Sequence, residues 1–233
     1  MATADTAATT DRVGCVLARE DQCVVMRGVG WEGYTAVLDA RGERSFPRMV
    51  YLDGDLYLMS PGFPHEHVKA RLGRIVTVIT EELDIPCTPA GSTTLRDEPK
   101  AGGVEGDETF YLANEPLIRG KTELPMSVDP PPDLAIEVVS THASHAAVEV
   151  WRRLGVPEVW VADLPDFTIL VRTADGRYEA SESSASYPFL SAAEIGDWIG
   201  RPFGGSETGW IKDVRRWVRE VLAPQVRDDG GGA

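Results

Sequence analysis

Glu105-Gly-Asp107-Glu108-Thr-Phe-Tyr-Leu112 and Pro131-Pro-Asp133-Leu-Ala-Ile-Glu137-Val-Val139 are the two stretches on which the fold turns. Each reads as a short apolar strand with a carboxylate at its mouth or inside it. Leu134 to Val139 has the composition of a strand covered on both faces. A carboxylate there is costly unless a cation meets it. Two such strands side by side bring Asp107 and Glu137 to one end of a sheet, and the backbone carbonyl of Val138 offers a third oxygen. Hard divalent ions, Mg2+ or Mn2+, take such oxygens together with water. An ion held there polarises a phosphate and acidifies a bound water, which is the chemistry of metal-assisted hydrolysis. The competing reading is structural: Asp107 caps a turn and Glu137 meets an arginine.

Outward from these stretches the pattern alternates between strands and helices. Gln22 to Arg27 reads as a strand and Trp31 to Ala40 as a short helix. Arg48–Leu52 and Asp55–Met59 flank Asp53-Gly54, a hairpin signal. From His65 to Leu83 a stripe of Val68, Leu72, Ile75, Val76, Ile79 and Leu83 has helical spacing behind Pro64. Pro86 to Leu95 reads as extended, 97–106 as a loop and 114–132 as a long loop. Ser144 to Leu154 has helical spacing closed by Gly155, and Glu158 to Ala162 follows as a strand, so residues 134–162 read as a βαβ crossover. Phe167–Arg172 and Tyr178–Ser181 are further strands, a helix starts within 189–199, and the last helix spans Ser206 to Leu222. The fold class is α/β, helices around a mixed central sheet. The expected division is a disordered tail over 1–20, one domain over 21–200, a C-terminal amphipathic helix over 201–225 and a disordered tail over 226–233.

Bulk properties narrow the function. The 233 residues carry a formal net charge of -14, which argues against a broad phosphate-binding surface. The three cysteines, Cys15, Cys23 and Cys87, are scattered and without a CxxC pair, the pattern of reduced thiols in a cytoplasmic protein. No stretch approaches the roughly 20 apolar residues of a membrane span. His67, His142 and His145 have no zinc-ligand spacing with any cysteine.

Read together, several pieces resemble the Uma-two family of restriction-endonuclease-like proteins. They are Tyr51-Leu-Asp-Gly-Asp-Leu-Tyr-Leu-Met-Ser-Pro61, His65-Glu66 opening a long helix, Gly91-Ser-Thr-Thr94, Glu105-Gly-Asp107-Glu108, Pro131-Pro-Asp133-Leu-Ala-Ile-Glu137-Val and Gly155-Val-Pro-Glu-Val-Trp160. The resemblance implies a PD-(D/E)xK nuclease-like fold, with Asp107 the first metal ligand and Glu137 the second. It also implies a catalytic lysine on the helix after Glu137, one turn before the aromatic position of Trp151. Ala147 stands there, and Ala146 stands where an acidic neighbour is expected. Such a lysine neutralises developing charge or orients the attacking water. Three explanations stay open: an inactive member, a stand-in cation (Lys69, Arg152, Arg153 or His145), or a deliberate replacement at Ala146-Ala147.

Glu66 reads either as a helix-end carboxylate or as a third ligand. Strand alternation turns Glu108 away from Asp107, and Asp133 is equally a turn cap or a ligand. The last helix carries Lys212, Arg215, Arg216 and Arg219 opposite an apolar stripe. It folds onto the core, or makes a homodimer through Trp210, Trp217 and Leu222, and its basic face is the cheapest candidate for a DNA contact. The leading expectation is a Mg2+- or Mn2+-dependent endonuclease acting on DNA, weakened by the missing lysine, with Asp107, Glu137, Glu66 and Lys69 as its residues. The rival is a nuclease-fold interaction module without turnover.

Overall fold

The computed structural model describes residues 21–139, 142–202 and 205–229; the tail expected over 1–20 and the last four residues lie outside them. In chain order the elements are β1 (Gln22–Met26), α1 (Trp31–Arg41), β2 (Arg48–Leu52), β3 (Asp55–Ser60), α2 (Phe63–Glu82), β4 (Thr88–Pro89), β5 (Leu95–Asp97), a 3-10 turn (Glu98–Lys100), β6 (Gly102–Val104), β7 (Glu108–Tyr111), α3 (Glu115–Ile118), β8 (Leu134–Val138), α4 (His142–Leu154), β9 (Glu158–Asp163), β10 (Asp166–Arg172), β11 (Tyr178–Ser181), α5 (Ala192–Ile199), α6 (Glu207–Trp217), a π-helical turn (Val218–Leu222) and α7 (Ala223–Asp229).

The strands form two sheets. One is five-stranded in the order β1-β3-β2-β6-β5, and the other is six-stranded in the order β11-β10-β9-β8-β7-β4. The second is mixed: β8 and β9 run parallel with α4 between them in sequence, and the remaining pairs are antiparallel. The expected mixed sheet and crossover are thus present. The separate antiparallel sheet was not anticipated, because β6 is Gly102-Gly103-Val104, too short and glycine-rich to signal a strand. Gly103 has a specific reason to be glycine. A Cβ there would sit 2.4 Å from the Tyr34 hydroxyl, and Tyr34 is fully buried and stacked on Tyr51 at 4.8 Å.

Local chemistry explains the elements that frame the site. Asp53 and Gly54 both take positive φ, 50° and 94°, as a two-residue hairpin turn requires. Pro64 lies in the first turn of α2, where a missing N–H costs nothing. The stripe Val68, Leu72, Ile75, Val76 and Ile79 is buried against Phe110, Leu134, Ile136 and Trp160. On the opposite face of β8, Ala135 packs with Val104, Ala147, Val150 and Trp151. All five residues of β8 are buried, as the apolar run predicts, with α2 on one side and α4 on the other.

The C-terminal segment differs from the expected single helix over Ser206–Leu222. The helical register widens to i→i−5, with Ala223 N–H donating to the Val218 carbonyl, one residue before Pro224, which has no N–H. The helix then resumes to Asp229, where the expectation began a tail at 226. Trp210, Val214, Val218 and Leu222 lie in the same core as α2, and Arg71 binds Glu207 at 2.5 Å. Trp210 and Leu222 are therefore buried inside their own chain, and Trp217 packs partly buried against the same core. Among the described residues no helix is long and apolar enough to cross a membrane.

Candidate active site

The register of β7 against β8 pairs Glu108 with Ile136 and Thr109 with Ala135. Continued one step past the end of β7, that register brings Asp107 level with Glu137. Both carboxylates are buried, Asp107 at 1% exposure and Glu137 at 3%. Gly106 makes the approach feasible: a Cβ there would lie 2.5 Å from the Trp151 ring and 3.1 Å from Glu137 Oε1.

Asp107 is saturated with donors. Its Oδ1 accepts from Arg48 Nη1 and lies 2.8 Å from His65 Nε2, and its Oδ2 accepts from the Val138 amide at 2.7 Å. The other Arg48 nitrogen, Nη2, donates to Glu66 Oε1 at 2.6 Å. Lys69 Nζ reaches Glu66 Oε2 at 3.3 Å and lies 3.9 Å from Glu108 Oε1. His65 Nδ1 lies 2.6 Å from Asp21 Oδ2, close but without the angle of a hydrogen bond. Glu137 Oε1 accepts from Trp151 Nε1 at 2.6 Å.

The two facing carboxylates titrate in opposite directions. Burial pushes Asp107 up, but the His65 hydrogen bond, the charges of His65 and Arg48 and the Val138 amide outweigh it and hold the carboxyl below its ordinary value. Burial pushes His65 down, and its bond and attraction to Asp107 raise it by more. Glu137 is pushed well above the ordinary range by burial and then by the negative charge of Asp107; the Trp151 hydrogen bond and Arg48 offset this only in part. Burial and the neighbouring charge together disfavour ionising both carboxylates at once.

The four side chains expected from the sequence, Asp107, Glu137, Glu66 and Lys69, fall in one cluster where the start of α2 meets the ends of β7 and β8. Val138 departs from expectation. Its amide serves Asp107, and its carbonyl accepts from Ser144 Oγ at 3.4 Å, at the start of α4. Asp133 resolves as a turn cap, accepting from the Leu112 and Asn114 amides at 2.7 and 2.9 Å. Of the stand-in cations, Lys69 reaches the cluster. Arg152 and Arg153 bind Glu149 instead, and Arg153 also binds Asp53. His145 is exposed and lines a separate cavity of about 290 Å³. Ala147, at 1% exposure, packs in the core beside Trp151.

Arg48, His65 and Trp151 were missed as members of the site. Arg48 opens an apolar strand and reads as a solvent-facing end, and only its partners, far off in sequence, reveal it. The basic face of α6 also changes meaning. Arg215 and Arg219 bind Glu82 at 2.5 Å, and Arg216 binds Asp213 at 3.2 Å, so that much of its charge is met within the chain.

By donor chemistry, Asp107, Glu137 and Glu66 offer the hard carboxylate oxygens that a divalent ion takes. As the side chains stand, no group of three His, Cys, Asp or Glu residues among the described residues is arranged around an ion. Arg48 and His65 both meet Asp107 Oδ1.

Among curated proteins nothing matches the chain. A solved structure described as "a putative nuclease belonging to DUF820", from Anabaena variabilis, is similar at 14% identity and a TM-score of 0.49, over 69% of this chain and 96% of that one. The model of the Uma2 family, described as "Putative restriction endonuclease", matches residues 31–198, more than half of the sequence, and the chain belongs to that family.

Proposed function

We propose that this chain is a nuclease acting on DNA phosphodiester bonds, with its hydrolytic centre at Asp107, Glu137, Glu66 and Lys69, and with turnover weakened in this member. The observation that carries the reading is the convergence of those four side chains on one end of the β7–β8 pair. Asp107 and Glu137 would hold Mg2+ or Mn2+, with Glu66 beside them; the bound ion supplies Lewis-acid activation of a phosphate oxygen and an acidified water. Lys69, at the solvent side next to half-exposed Glu66, meets the phosphate and offsets its charge. Trp151 holds Glu137 in place through its indole N–H, and Val138 fixes the orientation of Asp107 through its amide. Two features account for the weakness. Asp107 is already paired with Arg48 and His65, and the helix position that carries lysine in the family pattern is Ala147, sealed in the core.

A second reading, a nuclease fold that binds without cleaving, draws support from the Arg48–Asp107 pair. One experiment separates the two. Supercoiled plasmid is incubated with the protein and Mg2+ or Mn2+, beside Asp107→Ala. Nicking that disappears in the variant supports the nuclease; an intact plasmid in both, with DNA retained in a gel-shift assay, supports the binding module.

A further inference from the structure

Arg48 differs from an ordinary buried arginine in what it joins. Its two terminal nitrogens reach different carboxylates, Asp107 and Glu66. Asp107 is sealed from solvent, whereas the side chain of Glu66 is 38% exposed and that of Arg48 only 4%. The guanidinium thus lies along the line from the solvent side of the cluster to its buried acid. It shares Asp107 Oδ1 with His65 Nε2, which lies 2.8 Å from the same oxygen. Asp107 Oδ2 is committed to the Val138 amide, part of the strand backbone. A cation approaching Asp107 therefore meets Arg48 Nη1 and His65 Nε2 at Oδ1 and one backbone amide at Oδ2. On the far side Glu137 accepts a hydrogen bond from the neutral Trp151 indole. Arg48 thus bridges a buried and a half-exposed carboxylate of the cluster.

We propose that Arg48 and a divalent ion compete for the Asp107 carboxylate, so that Arg48 acts as a built-in competitor that sets how weakly this member holds its ion. This rests on the reading of the cluster as the hydrolytic centre. The ion's affinity is governed by a residue of β2, outside both acidic strands. Vacating position 48 leaves Asp107, Glu137 and Glu66 with an excess of negative charge that a hard cation relieves.

The test is Mn2+ titration of the full chain by calorimetry, without nucleic acid. Arg48→Met is expected to bind Mn2+ at least about tenfold more tightly than wild type, because a like charge at contact distance is repulsive even at a surface-like dielectric. Arg48→Lys, which keeps the charge, is expected to stay near wild type, and Arg48→Met combined with Asp107→Asn is expected to lose the gain. Equal affinity in Arg48→Met and wild type, or an equal gain in Arg48→Lys, overturns the proposal. If Arg48→Met is unfolded without the ion, the titration is followed by circular dichroism. Recovery of helix on adding Mn2+ supports the proposal, and no recovery overturns it. A purely structural arginine would lower the melting temperature without raising ion affinity. Since no DNA is present, a failure here leaves the plasmid result standing, and an intact plasmid leaves the affinities standing.

Discussion

Glu105 and Asp107 are two residues apart, both buried, and both bound to an arginine, yet their surroundings differ in one respect. Glu105 receives Arg41 through two nitrogens at 2.5 Å, the Met49 amide at 3.0 Å and the Thr94 hydroxyl. One charge meets one charge, with the remaining acceptors filled by neutral donors. Asp107 has donors as plentiful, but Glu137 faces it from the next strand and Glu66 shares its arginine. The first arrangement is a closed structural pair. The second brings Asp107, Glu66 and Glu137 around one shared arginine, and Glu137 is raised first by burial and then by the negative charge of Asp107. Burial and ion pairing alone do not separate a structural carboxylate from a functional one; the surplus of charge around it does.

The largest expected effect lies on the structural side. Glu105→Gln removes one partner of a buried pair and should cost about 3–5 kcal/mol, read from urea unfolding, with Mn2+ affinity per folded molecule unchanged. A loss smaller than about 1 kcal/mol would erase the contrast, because Glu105 would then be no more structural than a surface acid. On the functional side, Ala147→Lys places a cation one turn before Trp151, which already touches Glu137. It should lower stability by about 1–3 kcal/mol through overpacking while raising plasmid nicking. A folded variant that binds the ion yet cleaves no faster would move the missing cation elsewhere.

A smaller effect sharpens the charge argument through pH. The Glu137 carboxyl titrates above its ordinary value near 4.5, so the folded chain keeps a proton that the unfolded chain gives up. Its stabilising contribution is complete below that ordinary value and is lost as pH rises toward the folded value, by about 1.4 kcal/mol for each unit of difference. Glu137→Gln, which mimics the protonated acid, should gain on wild type as pH climbs above 4.5. Parallel stability curves for the two proteins would remove the surplus charge from the account. Smallest of all, Arg219→Ala breaks an exposed pair with Glu82 and should change stability by less than about 1 kcal/mol.

Much of the fold was legible because its signals are local. Asp53-Gly54 names its hairpin, the α2 stripe names its buried face, and the apolar run Leu134–Val139 announces a strand covered on both sides. The acid pair was legible for the same reason: a carboxylate inside such a run is anomalous by itself. The second sheet was not, since β6 is two glycines and a valine whose role comes from Tyr34 lying over Gly103. Arg48 was hidden too. Its meaning depends on Asp107 and Glu66, which no spacing rule ties to the start of β2. The basic face of the last helix misled because Glu81 and Glu82, which neutralise part of it, belong to α2.

The most direct measurement compares the two carboxylates as one experiment: nicking of supercoiled plasmid in Mn2+ by wild type, Asp107→Asn and Thr94→Ala, each corrected for folded fraction. Thr94→Ala removes a partner of Glu105 and leaves the Asp107 cluster untouched. The expected result is nicking by wild type and Thr94→Ala, and none by Asp107→Asn. Nicking that survives in Asp107→Asn would contradict the assignment of the hydrolytic centre to the Asp107–Glu137 pair.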